Sequence, residues 1–265
     1  MAKEDPRSVG AAGEGARPYA VRSLERGLSV LTCFDVDHPS LTLVDLTRAT
    51  GLHKATCFRL IKTLEAESFL KCDAATGEYS LGVALVRLAF LARSSGVLAG
   101  VARPHLLALR DSTGESVDLC VWTNTGPLLV DRCLSARAFQ PRNVVGQVIT
   151  DPNTTHARIW LAAGTAAQRQ RAAEVYGLAR GAAGDDADVR QDRDRLSRGE
   201  PVLDIGEGRG VCAQGLPIRD ASAEVVASLA VVAPYPPPES AEMDWRARSI
   251  LQVATALSAE LGHRE

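Results

Sequence analysis

The chain has 265 residues, 46% hydrophobic and 23% charged, with a formal net charge of −2 and a mean hydropathy of −0.03. These are globular values, and single domains usually run to roughly 100 to 200 residues, so two domains are expected. The absence of a long unbroken apolar run argues against a membrane span, and near-neutral net charge means that any nucleic-acid footprint must be sought as a local patch.

Residues 1–18 carry no periodicity and are read as a disordered tail. Lys3 and Arg7 lack the apolar segment a signal peptide would need, so the protein is expected to be cytoplasmic. A helix is predicted from Ser23 as N-cap to about Asp35, with Leu24, Leu28, Leu31 and Phe34 at helical spacing. After a loop at Asp37–Ser40, Thr42 and Asp45 fit a variant capping box opening a short helix that Gly51 stops.

A third helix is predicted from Lys54 to Glu65. Cys57, Leu60, Ile61 and Leu64 fall at i, i+3, i+4 and i+7 and form one buried stripe. Ala55, Thr56, Arg59, Lys62 and Thr63 then project on the other side, and no acid occurs between Asp45 and Glu65, so that face is cationic. Phe69–Cys72 and Glu78–Leu81, around Asp73–Gly77, read as a hairpin. Three helices and a hairpin in this order predict a winged helix-turn-helix over 19–81, its elbow at Thr50–His53. The apolar stretch from Val83 is read as a linker helix over 82–96 that buries against a partner, and the arginines from Arg87 to Arg110 extend the basic character.

Beyond Arg103-Pro104 the pattern changes. Val117–Trp122 with Leu128–Cys133, and Val211–Ile218 with Val225–Ala233, read as two hairpins. Helices are predicted near His156–Ala163, Ala166–Tyr176, Asp188–Ser197 and Met243–Leu261. The fold class is therefore α+β, with an antiparallel-sheet domain and flanking helices over 97–265. The six cysteines (Cys33, Cys57, Cys72, Cys120, Cys133 and Cys212) have no Cys-x-x-Cys pair or histidine at ligand spacing, so no metal or other cofactor is expected. Gly206, Gly208 and Gly210 lack the lysine that follows in a phosphate loop and read as a turn.

The run from Gly51 to Glu65 resembles the IclR family of transcriptional regulators, whose signature there is Gly-Leu-x-Lys-Ser-Thr-x-x-Arg-Leu-Leu-x-Thr-Leu. Ser23–Leu28 and Tyr79–Gly82 resemble the family's first helix and its wing-to-linker junction. Gly114–Val117, Thr154–Ala162 and Gly210–Asp220 fall at its effector-domain landmarks. The likeness implies a DNA reader, a linker helix used in dimerisation and a GAF-like effector-binding domain. It further implies double-stranded operator DNA, a small-molecule effector, often an organic acid, and a homodimer or tetramer as partners, more often repressing than activating, with no membrane partner.

Candidate DNA contacts are Thr42, His53, Lys54, Ala55, Thr56, Phe58, Arg59, Lys62 and Thr63. Arg59 is suited to a guanine edge or a phosphate, Lys62 to a phosphate, and Thr56 to either. Ala55 replaces the family's serine and removes one hydroxyl; Phe58, where a polar residue is common, either meets a thymine methyl or packs on the wing. Candidate effector contacts are Trp122, Thr154, Arg158, Cys212, Ala213, Ala230 and Val232. Ala230 and Val232 stand where some members carry serines for a carboxylate, which keeps a larger or more apolar effector open. For Cys212, Trp122 and Trp160 a core position is the competing reading, and His156 with Arg158 either clamps an anion or is merely exposed. Two alternatives remain: a metabolite-binding protein with a weakened reader, and an enzyme, for which no catalytic motif is found and the histidines are dispersed.

Overall fold

The computed structural model of the chain describes residues 21–35, 37–95, 97–137, 139, 141–178, 187–237 and 239–263. The tail expected over 1–18 lies outside them. The chain forms two compact units that divide between Arg93 and Ser94.

In the first unit, α1 (Arg22–Leu31), β1 (Ser40–Leu41), α2 (Leu43–Thr50), α3 (Lys54–Ala66), β2 (Leu70–Cys72), β3 (Tyr79–Leu81) and α4 (Val83–Ser95) follow in order. The three strands form an antiparallel sheet in the order β1-β3-β2. Its core is Val30, Leu46, Cys57, Ile61, Leu70 and Tyr79, with Leu60 and Leu64 packed at its edge. Thr42 and Asp45 form the reciprocal capping box of α2, and Gly51 closes that helix at φ +66°, a left-handed conformation that costs glycine nothing.

Two expectations for α1 are corrected. Ser23 is not its cap: the helix begins one residue earlier, after Val21, with no side-chain cap. Its end at Leu31 rather than near Asp35 follows from the Asp35 carboxylate, which accepts from the backbone N–H of Asp37 and His38 at 2.9 and 2.7 Å and turns the chain. Gly27 and Val30 face the core, which leaves Leu24 and Leu28 exposed. The two-residue β1, too short to carry a periodic signal, was not foreseen.

The second unit contains α5 (Val97–Thr113), β4 (Ser116–Thr123), β5 (Gly126–Cys133), α6 (Thr155–Ala163), α7 (Ala166–Val175), α8 (Ala187–Ser197), β6 (Val202–Gly206), β7 (Val211–Arg219), β8 (Val225–Pro234) and α9 (Ser240–Glu260). The sheet is antiparallel throughout, in the order β5-β4-β8-β7-β6. The pattern change placed at Pro104 is corrected: Pro104 lies inside α5, where the helix continues without that one N–H donor. Strand β6 is an addition, and Glu207–Arg209 forms a 3-10 turn in the glycine series. The cationic character expected to extend toward Arg110 is offset here, since Arg103 pairs with Asp131 and Arg110 with Asp111.

Strand alternation assigns the sheet's two faces. Val117, Leu119, Leu216, Ile218, Ala227, Leu229 and Val231 pack against Leu106 and Leu109 of α5 and Ile250 and Leu257 of α9, making the main core. The opposite face carries Asp118, Cys120, Ala213, Ser228, Ala230 and Val232, and α6 lies across only part of it.

Gly82 joins the wing to α4 and tests how closely this junction is packed. A Cβ there would lie 2.2 Å from the backbone oxygen of Ser68, and its own N–H donates to Phe69 O at 2.7 Å. Gly82→Ala is expected to destabilise the first unit by about 1–3 kcal/mol. Amide hydrogen exchange checks this: protection should fall in β2 and β3, and unchanged protection there would contradict the close approach.

Candidate functional site

In the first unit the elements present one helix. α3 contributes Cys57 and Ile61 to the core, while Lys54, Ala55, Phe58, Arg59, Lys62 and Thr63 are exposed and Thr56 is half-buried. His53 caps the helix, its Nδ1 accepting the Ala55 N–H at 3.4 Å. With no acid in the first turn, the positive end of the α3 dipole is uncompensated locally. Thr42 is engaged in the α2 capping box, and the Thr63 hydroxyl donates to Arg59 O at 3.0 Å.

The cationic face has an internal partner that periodicity concealed. Lys62 donates to Glu65 at 2.7 Å, and this raises the pKa of the Lys62 ammonium. The same ammonium stands 5.8 Å from the centre of the Phe58 ring, and Phe58 is 43% exposed, so its ring does not pack into the wing. The Arg59 guanidinium has no ion-pair or hydrogen-bond partner among the described residues.

In the second unit a cavity of about 290 Å³ lies on the sheet face opposite α5 and α9. Its floor is built from small residues in register: Asp118 is opposite Ala230, Ala230 opposite Gly215, and Ala213 opposite Val232. Asp118 and Arg132 form a buried bidentate pair, and the remaining Arg132 nitrogen donates to backbone carbonyls, including Asn143 O. On the other side Arg209 bridges Asp151 and Asp204, both at 2.5 Å. Burial pushes the Asp204 carboxyl pKa up, with Arg209 opposing.

His156, one residue into α6 and 4% exposed, lines the buried end. Its Nδ1 is 2.8 Å from Ser228 Oγ, and its Nε2 is buried without a hydrogen-bond partner. Burial lowers its pKa to about 4, with nearby Asp118 opposing and Arg132 adding to the shift, so the ring is neutral at ordinary pH.

Of the effector candidates, Thr154, Ala213, Ala230 and Val232 line this cavity. Thr154 also caps α6 by accepting from Ala157 N. Trp122, Arg158 and Cys212 lie outside its wall. Trp122 packs on Trp160 at 5.2 Å and on Tyr176 at 6.3 Å in a separate apolar cluster. Arg158 makes a two-pronged pair with Asp192 at 2.8 and 2.7 Å and donates to Leu203 O, so its charge is already used. Cys212 is on the opposite face of β7 from Ala213, where burial pushes its thiol pKa up and Arg246 of α9 opposes.

Sequence reasoning missed Asp118, Arg132, Asp204 and Arg209. A register shift at Leu119/Cys120 hid the first pair: counting back from Thr123 opposite Gly126 sets Asp118 against Asp131, whereas the bulge sets it against Arg132. Asp204 lies on the unforeseen β6 and Arg209 in the turn after it.

Residues 23–74 match the family model described as the IclR helix-turn-helix domain, and residues 92–259 match that of the bacterial transcriptional regulator IclR C-terminal. The glycerol operon regulatory protein of Streptomyces coelicolor is 34% identical over 110 residues, 42% of this chain and 43% of that protein. The DNA-binding transcriptional repressor YiaJ of Escherichia coli is 32% identical over 107 residues, 40% of this chain and 38% of that protein. These matches therefore span about two fifths of the relatives' length. Among solved structures, an IclR transcriptional regulator from Silicibacter sp. TM1040 shares the fold with a TM-score of 0.79 at 23% identity, covering 91% of this chain and 97% of the other.

The buried neutral histidine makes stability depend on pH. When unfolded, the ring takes its proton near pH 6.5; when folded, only near pH 4. Stability is thus lost as pH falls through that window, by about 3 kcal/mol in all. Urea unfolding of the second unit, compared at neutral pH and at about pH 4.5, should show a weaker pH dependence in His156→Gln than in the wild type. Equal dependence in both would contradict the neutral, desolvated ring.

Proposed function

The chain belongs to the IclR family of bacterial transcriptional regulators, and from that premise we propose that it is a sequence-specific DNA-binding repressor whose DNA affinity is set by a small metabolite. The observation that carries this reading is the exposed α3 face, with Arg59 and Lys54 free of acidic neighbours in the helix's first half and Gly51 fixing the elbow before it. α3 enters the major groove, Arg59 addressing a guanine edge or a phosphate and Lys62 a phosphate. The backbone N–H of Lys54 adds a phosphate contact at the positive helix end, which offsets the hydroxyl missing at Ala55, while the Ala55 N–H is held by His53. His53, Thr56 and Thr63 flank that surface, Thr42 opens the supporting helix, and Phe58 presents an apolar ring to a thymine methyl.

The metabolite is proposed to bind the cavity of the second unit, with Thr154, Ala213, Ala230 and Val232 among its contacts. It shifts DNA affinity through a coupling free energy, typically about 1–3 kcal/mol. A homodimer, or a tetramer built from dimers, is proposed because Val83 and Val86 on α4 are 70% and 68% exposed and Leu24 on α1 is 61% exposed. A dimer places two readers on two half-sites, and a protein with this task works in the cytoplasm.

Gel-shift titrations against an operator selected from random duplexes test the α3 assignment. Arg59→Ala should weaken specific binding by about 1–3 kcal/mol, and wild-type affinity in that variant would remove Arg59 from the interface. Glu65→Gln should tighten binding at low salt, because Lys62 no longer shares its charge; Lys62→Ala should reduce the salt slope by about one unit. An unchanged slope would take Lys62 off the phosphates.

A further inference from the structure

The cavity is more selective than its existence alone implies, because its charges are largely spoken for. Asp118 is paired with Arg132, and Asp151 and Asp204 share Arg209. The remaining arginine of the wall, Arg142, is exposed at the mouth, whereas Asp118, His156, Ala213 and Ala230 form the buried end. A carboxylate pushed to that end would meet the Asp118 carboxylate and no uncommitted cation among the described residues. Removing an anion from water without a partner is costly.

One residue of the buried end, His156, carries an unused polar atom. His156 is fixed by Ser228 on its Nδ1 side and by its place in the first turn of α6, and its Nε2 has no partner. The Ser228 hydroxyl either donates to or accepts from Nδ1, so Nε2 is either a donor or an acceptor. A ligand hydroxyl serves both tautomers, since it donates and accepts. A carboxylate serves only the tautomer with hydrogen on Nε2, and still faces Asp118. The apolar walls Val148, Ile149, Val211 and Val232 suit a carbon skeleton beside that hydroxyl, and about 290 Å³ sets its size as that of a small metabolite.

We propose that the effector is a small alcohol or phenol that places an uncharged hydroxyl against Nε2 of His156 at the buried end of the cavity. The assignment rests on the effector role proposed for this cavity and names the class of ligand it takes. Selectivity comes from His156, the Asp118–Arg132 pair and the small floor residues Ala213 and Ala230, which leave room for the ligand and exclude a second buried negative charge.

The experiment uses the full chain and matched probes that differ only at the polar group: benzyl alcohol against benzoate, and glycerol against glycerate, with phenol added. At saturating concentration a true ligand class raises the melting temperature of the second unit by about 2–4 °C. One or more alcohols or phenol should do so, while the paired carboxylate does not, and His156→Phe should abolish the shift. Should that variant fail to fold, the wild-type protein still decides the matter. In histidine-selective ¹⁵N spectra, adding the stabilising alcohol should move the Nε2 resonance of His156 and leave the other histidines in place.

Stabilisation by carboxylates alone overturns the ligand class and leaves the effector role standing. Stabilisation by neither class overturns both. An alcohol shift that persists undiminished in a folded His156→Phe protein, or leaves the His156 nitrogens unmoved, overturns the assignment of Nε2.

Discussion

The central strands β4, β7 and β8 have two faces, and only one of them is closed by a continuous apolar contact. That constraint organises the second unit. Leu119, Leu216, Leu229 and Val231 satisfy one face against α5 and α9, and the burial of such residues supplies the main folding force at about 25 cal/mol per Å². On the other face the floor residues Ala213 and Ala230 are too small to fill the space beneath the loops, and α6 covers part of that face, with Thr155 seated closely over Gly215. Space remains where side chains are small, and most of the charged groups facing it are held by one another, Asp118 by Arg132 and Asp151 with Asp204 by Arg209.

The same economy shapes α3. Cys57 and Ile61 are committed to the core, so the helix cannot rotate, and the opposite face is held toward solvent whatever its composition. A cationic face fixed by a buried stripe, a left-handed glycine before it and a hairpin after it is a rigid surface for a groove. The Glu65 carboxylate on Lys62 tempers this surface. It gives Lys62 an internal partner, which the phosphate contact proposed for this residue would have to displace.

Much of this was legible in the sequence because it rests on local rules. The α2 capping box at Thr42 and Asp45, the glycine stop at Gly51, the stripe of α3 and the four longest strands of the second unit were all read from spacing, and the family signature from Gly51 to Glu65 linked them. What escaped depended on contacts distant in sequence or on single-residue shifts. The start of α1 after Val21 has no capping side chain to announce it, and Pro104 signals a helix end that tertiary packing of Leu106 and Leu109 overrides. The bulge at Leu119/Cys120 decides that Asp118 meets Arg132, and no propensity records a bulge. Arg158 was a reasonable anion clamp by composition, yet Asp192, thirty-four positions away, takes both prongs of its guanidinium.

One chain is proposed to read DNA sequence and to sense a small molecule. The most direct measurement is selection of random duplexes by the purified full-length protein over successive rounds, with bound DNA sequenced in each. Enrichment of one motif is expected, in two related half-sites about one helical turn, or a whole number of turns, apart, as two copies of α3 require. Recovery of duplexes with no sequence enrichment over the starting pool would contradict it.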